Sequence, residues 1–157
     1  MQKITPCLWF DTQAEEAARF YTSIFKNSSI GEISYYGPDT PGPEGTVLTV
    51  AFKLEGQDFT ALNGGPVFKF TPAISLLVDC KSQEEVDRLW DGLLAGGGQP
   101  DQCGWLTDRY GVSWQIVPGV MGELMSDPDP VKVNRVMQAM LKMVKIDIAE
   151  LQRAYKG

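Results

Sequence analysis

Apolar positions along this chain switch between a period of two and a period of about three and a half, and the switches outline the same unit twice. From Ile4 to Asp11, Ile4, Leu8 and Phe10 share one parity while Thr5, Cys7 and Trp9 share the other, which predicts a strand. Ala17, Phe20, Tyr21 and Ile24 then fall on one stripe of a helix. The pattern returns from Ala73 to Asp79, where Ile74, Leu76 and Val78 alternate with Ala73, Ser75 and Leu77. A second helical stripe follows at Val86, Leu89, Trp90 and Leu93. The faces holding Ile4, Leu8 and Phe10, and Ile74, Leu76 and Val78, are expected to pack on the helices.

The two helices align residue by residue. Gln13-Ala14-Glu15-Glu16-Ala17-Ala18-Arg19-Phe20-Tyr21 and Ser82-Gln83-Glu84-Glu85-Val86-Asp87-Arg88-Leu89-Trp90 match at an offset of 69, and their preceding strands match at 68. The paired acids stand in each first turn, where the helix dipole favours them. Consecutive residues on a helix point about 100° apart, so neither pair forms an acid/base dyad. Ser82 is expected to cap its helix, with Glu85 as its capping-box partner, and Gly96-Gly97-Gly98 to end it.

Strands are predicted at 31–36, 46–54 and 59–62 in the first unit, with Gly56-Gln57-Asp58 as a hairpin turn. The second unit has strands near 104–107 and 112–117, joined by the turn Asp108-Arg109-Tyr110-Gly111. The segment 37–45 carries three prolines and reads as a stiff polar loop outside any core. After Asp129-Pro130 comes an apolar helical stripe at Val133, Val136, Met137, Met140, Leu141 and Val144, then a further helix around 147–155. Such a tail must cover either its own sheet or a second subunit. The whole reads as one α+β domain of paired βαβββ modules: module one at 1–65, module two at 66–122 and a C-terminal helical tail at 123–157.

Composition narrows the function classes. A net charge of −6 and no basic cluster beyond a tail face interleaved with acids argue against nucleic-acid partners. No run of about 18 apolar residues suggests a membrane span, and no leader pattern opens the chain. Three cysteines without CxxC spacing suit a reducing, cytoplasmic setting rather than a disulfide framework or zinc site. The chain contains no histidine.

The run Cys103-Gly104-Trp105-Leu106-Thr107-Asp108-Arg109-Tyr110-Gly111-Val112-Ser113-Trp114-Gln115-Ile116-Val117-Pro118 resembles the PhnB-like family, labelled 3-demethylubiquinone-9 3-methyltransferase. That family lies within the vicinal oxygen chelate, or glyoxalase/bleomycin-resistance, superfamily. Ile4 to Asp11, Ala14 to Tyr21, Leu62 to Pro66 and the tail segment Val136 to Met143 are similar as well. The resemblance implies a glyoxalase/bleomycin resistance/dioxygenase-like fold whose curved sheets enclose a cavity, and a homodimer. It also implies positions for a divalent metal on the first and last strands of each module: Thr5 and Ala73, and Thr60 and Gln115. Alanine cannot ligate, and two threonines and an amide are poor ligands. The expectation is therefore a protein with no metal and no cofactor.

Strand parity assigns Cys7, Trp9, Ser75, Ser113 and Gln115 to the concave faces, with Asn63, Phe68 and Trp105 at the rim, as candidates for holding a small organic ligand. Side chains that fill the space and bind nothing are the competing reading. Cys7 has no histidine to activate it and is expected as a small buried hydrophobe. Asp108 and Arg109 are expected to pair across their turn. Whether the chain is an enzyme stays open: a methyltransferase, a lyase or dioxygenase with an unusual metal, or a sequestering resistance protein each remain alternatives.

Overall fold

In a computed structural model, which describes residues 2–157, the chain forms two compact units, Met1–Phe70 and Thr71–Gly157. The first unit runs β1 (Cys7–Phe10), α1 (Ala14–Ile24), β2 (Ser29–Tyr35), β3 (Val47–Leu54) and β4 (Gln57–Asn63). Its sheet has the order β1-β4-β3-β2, with β1 parallel to β4 and the other pairs antiparallel. The second runs β5 (Ser75–Cys80), α2 (Gln83–Leu94), β6 (Gln99–Pro100), β7 (Trp105–Thr107) and β8 (Ser113–Pro118), with the matching order β5-β8-β7-β6. Both are βαβββ modules, so the internal repeat is structural. The helices α3 (Gly119–Met125), α4 (Pro130–Met140) and α5 (Ile148–Lys156) follow.

Each sheet buries one face under its helix. In the first unit Leu8, Phe10, Val50, Phe52, Phe59 and Ala61 are buried with Ala14, Ala17, Ala18 and Tyr21 of α1. In the second, Leu106, Trp114 and Ile116 are buried, as are Val86, Leu89, Trp90 and Leu93 of α2. Ile4 and Ile74 break the expected pattern. They lie outside the strands, at 84% and 78% exposed, because β1 and β5 begin only at Cys7 and Ser75 and no ladder holds the chain before them against a helix. The β3–β4 hairpin turns one residue earlier than Gly56-Gln57-Asp58: Glu55 and Gly56 both have positive φ (50° and 78°), as a two-residue primed turn requires.

The second helix is capped as its sequence predicts. Ser82 Oγ accepts the Glu85 amide at 3.1 Å, and Ser82→Ala is expected to cost about 1 kcal/mol in denaturant unfolding. The first helix is started differently. Gln13 makes no side-chain cap, and the Asn63 Oδ1 from the end of β4 accepts the Ala14 amide at 2.8 Å instead.

The tail helices pack on one another. Val136, Ile146 and Leu151 form a small core with Met121, Leu124, Met125, Met140, Met143 and Tyr155 packed against it. Gln83 of α2 clasps the entry to α5, donating to the Ile146 carbonyl and accepting the Ile148 amide. The Tyr155 hydroxyl donates to Asp127, which lowers the Asp127 pKa and raises that of Tyr155. Among the described residues, no helix is long and apolar enough to cross a membrane.

Candidate functional site

The faces turned away from the helices carry most of the residues that parity selected. In the first sheet Cys7 pairs with Thr60 and Trp9 with Leu62, so these four side chains share that face. Thr5 and Thr60 come together at a shallow cavity of about 340 Å³ beside Lys53 and Asp58, which form an ion pair. Cys7 is exposed rather than a buried filler, because it sits on the uncovered face of β1. Its thiol pKa is nonetheless raised by partial burial, so it is not an activated nucleophile. Cys80 is buried on the other side, and burial first, then Glu85 and Asp79, pushes its thiol up to about 12.

Trp9 is the anchor of the first unit. Its indole N–H donates to the Gly65 carbonyl at 2.9 Å, and Phe68 meets its ring edge-on at 4.9 Å. Gly64 lies so close beneath the indole that a Cβ there would stand 2.3 Å from ring atoms. Phe68 itself is 63% exposed.

Asn63 does not present its amide to a ligand. Its register partner is Phe10, which places it on the helix side of the sheet. There it is buried, its oxygen on the Ala14 amide and its nitrogen donating to the Val47 carbonyl.

In the second sheet Ser75 pairs with Ser113, and Gln115 lies between Leu77 and Trp105. These candidates are brought together, and Gln115 Nε2 donates to Ser75 Oγ at 2.9 Å. Ala73 precedes the strand and is exposed.

The pairing registers also correct the match between the modules. Gln115 stands opposite Leu77, whose equivalent in the first module is Trp9, and the residue opposite Trp9 is Leu62. Gln115 therefore corresponds to Leu62, with Thr60 corresponding to Ser113. The irregular loop between β7 and β8 hides this shift in the sequence. The equivalent metal positions are thus Thr5 and Leu62 in the first unit and Ala73 and Gln115 in the second, of which one is an amide already bonded to a serine. That donor set does not fit a transition metal. Among the described residues no group of three His, Cys, Asp or Glu could hold a metal ion.

Asp108 holds its turn by accepting three N–H donors. It is 3% exposed. Its Oδ1 accepts the amides of Tyr110 and Val112 at 2.8 and 3.1 Å, and its Oδ2 accepts the Trp114 indole N–H at 2.9 Å. Arg109 donates to the Ala95 carbonyl at the end of α2 and lies over the Tyr110 ring.

Two cavities in the first unit flank the proline-bearing loop, which is not a bystander. One, of about 400 Å³, is lined by Trp9, Tyr35, Tyr36, Pro41, Leu48 and Leu62, among others. The other, of about 430 Å³, shares Tyr36, Pro41 and Gly64 with it and reaches Asp11 and Glu15. The Tyr36 hydroxyl donates to the Asn63 carbonyl, which ties the start of the loop to the end of β4. The tyrosine pair ahead of Gly37-Pro38 was the available signal for this wall.

Two four-stranded modules of this order, each with one helix on one face, have the glyoxalase/bleomycin-resistance-like fold. A family model described as 3-demethylubiquinone-9 3-methyltransferase matches residues 2–117, and the chain belongs to that PhnB-like family. The match ends before the tail, so the expected similarity at Val136–Met143 falls beyond it. The PhnB protein of Bacillus cereus is 43% identical over 75% of this chain and 100% of its own, with a TM-score of 0.68. A Pseudomonas aeruginosa protein is 22% identical over 75% and 98%, with a TM-score of 0.62. The fosfomycin resistance protein FosX of Listeria monocytogenes shares the fold at 16% identity, over 78% and 97%, with a TM-score of 0.53. A search of the curated proteins finds no match.

Proposed function

We propose that this chain is a metal-free, homodimeric member of its family that binds a small organic molecule on the helix-free faces of its sheets. The donor set carries the reading: Thr5, Leu62 and Ala73 supply no good ligand, and the Gln115 amide is bonded to Ser75. What remains is aromatic and hydroxyl surface, Trp9 on the first sheet and Trp105, Ser75 and Ser113 on the second, suited to stacking and hydrogen bonding rather than Lewis-acid chemistry. Exposed Ile4, Val67, Ile74 and Leu77 favour a second copy as cover. Three free cysteines suit a reducing, cytoplasmic setting.

The family description favours a second reading, methyl transfer. The chain lacks the glycine turn that carries a nucleotide-type cofactor from a strand into a helix. Asp11-Thr12-Gln13 leads into α1 and Lys81-Ser82 into α2, while Gly96 to Gly98 follow α2 and stop it. Two measurements decide between them. Elemental analysis of protein purified without chelator is expected to find well under one transition metal per chain; one bound metal per chain would overturn the metal-free reading. Calorimetric titration with S-adenosylmethionine is expected to give no saturable heat, and one site per chain would establish the methyl-donor reading.

A further inference from the structure

We infer that the paired cavities beside the proline-bearing loop form a site for an organic cation of the quaternary ammonium type. The inference rests on the ligand-binding reading above and names its ligand class. Three aromatic side chains, Trp9, Tyr35 and Tyr36, line one cavity of about 400 Å³. A ring face attracts a cation through its quadrupole, and several rings around one space can replace part of a weakly hydrated cation's solvent. A quaternary ammonium suits such a space because it has no N–H donors to satisfy, and Pro41, Leu48 and Leu62 add apolar wall, with Thr40 the one other polar side chain in the lining.

Electrostatics point the same way. Neither cavity is lined by a lysine or arginine, and the adjoining one carries two acids, Asp11 and Glu15. Arg19 occupies Glu15 through a 2.8 Å ion pair, which leaves Asp11 as the carboxylate that faces a bound cation. The two cavities meet at Tyr36, Pro41 and Gly64, so a cation held among the rings lies beside the space that Asp11 enters. Two of the three rings are held in place: Trp9 by its bond to Gly65 and its seat on Gly64, Tyr36 by its bond to Asn63. Fixed rings lose little freedom on binding. The chain's net charge of −6 adds a long-range attraction that salt weakens.

The test is a titration of the full chain with choline, with its neutral carbon isostere 3,3-dimethylbutanol and with indole, followed through the Trp9 indole N–H resonance. Choline is expected to bind about tenfold more tightly than the isostere, the size of effect a partly desolvated cation–π contact gives. Asp11→Asn, at an exposed position, is expected to weaken choline about threefold and leave indole unchanged, whereas Tyr35→Ala, which removes a ring wall, is expected to weaken both. Equal binding of choline and its isostere, or an Asp11→Asn variant that binds choline as the parent does, overturns the inference. A shift with indole alone overturns it while leaving the ligand-binding reading standing; no shift with any of the three overturns both.

Discussion

Asp108→Ala is expected to destabilise the chain by about 3 kcal/mol in denaturant unfolding, with Asp108→Asn close behind at about 2 kcal/mol. The carboxylate is the hub of the β7–β8 connection. It collects three N–H donors in a place water barely reaches: two amides of its own turn and the indole of Trp114, itself 2% exposed. A hydrogen bond to a charged acceptor contributes more than a neutral one, and each donor left behind adds a desolvation penalty. Alanine abandons all three. Asparagine keeps one oxygen for the turn amides but must turn its NH₂ toward the Trp114 indole N–H, setting donor against donor. The Asn variant is therefore no conservative change, and tryptophan fluorescence should report the loss of the buried Trp114 environment in both. A loss below about 0.5 kcal/mol, the scale of an ordinary surface substitution, would show that Asp108 is not the hub of this turn. An Asp108–Arg109 ion pair alone would predict that smaller effect.

The same residue shows where sequence reasoning reaches its limit. The run from Trp105 to Trp114 marks a tight turn between two strands, and a turn is there, closed by the Gly111 amide on the Asp108 carbonyl at 3.0 Å. That Asp108 faces inward depends on Trp114, six residues on, whose indole reaches back to it; no local pattern carries that contact.

The paired modules were legible because they rest on period and register. Tyr21 and Val86, Leu89, Trp90 and Leu93 are buried where their stripes place them, and Cys7, Trp9, Ser75 and Gln115 share the helix-free faces where parity places them. Errors enter where a strand has no partner to hold it, as at Ile4 and Ile74, and where an insertion shifts one strand against its repeat, as between Thr60 and Gln115. Asn63 was assigned to the rim, but three residues after Thr60 it belongs to the opposite face, where it starts α1. The aromatic cavity was out of reach because its walls come from β1, β2, β3, β4 and a loop whose path is set by Tyr36 bonding across the sheet to Asn63.

Gly104→Val is expected to release the tail from the second module and to cost at least about 3 kcal/mol. Two separate demands meet at this residue. Its φ of +84° suits glycine, and a β-branched side chain there is strained by roughly 1–3 kcal/mol. A Cβ would also stand 2.9 Å from the Ile116 carbonyl oxygen and 3.0 Å from Ile146 Cγ1. The first of these is backbone of β8 and cannot rotate away; the second belongs to the core of the tail. The Gly104 amide donates to the Val144 carbonyl and its carbonyl accepts the Ile116 amide, each at 2.8 Å, while the neighbouring Cys103 amide reaches the Met143 carbonyl at the same distance. Moving Gly104 outward to admit a side chain therefore breaks the sheet edge and the tail seam together. Hydrogen exchange should then show faster exchange at Cys103, Gly104 and through α5, while α1 and the β3–β4 hairpin keep their protection. Unchanged exchange in α5 would mean that Gln83, which holds both Ile146 and Ile148, anchors the tail without the seam.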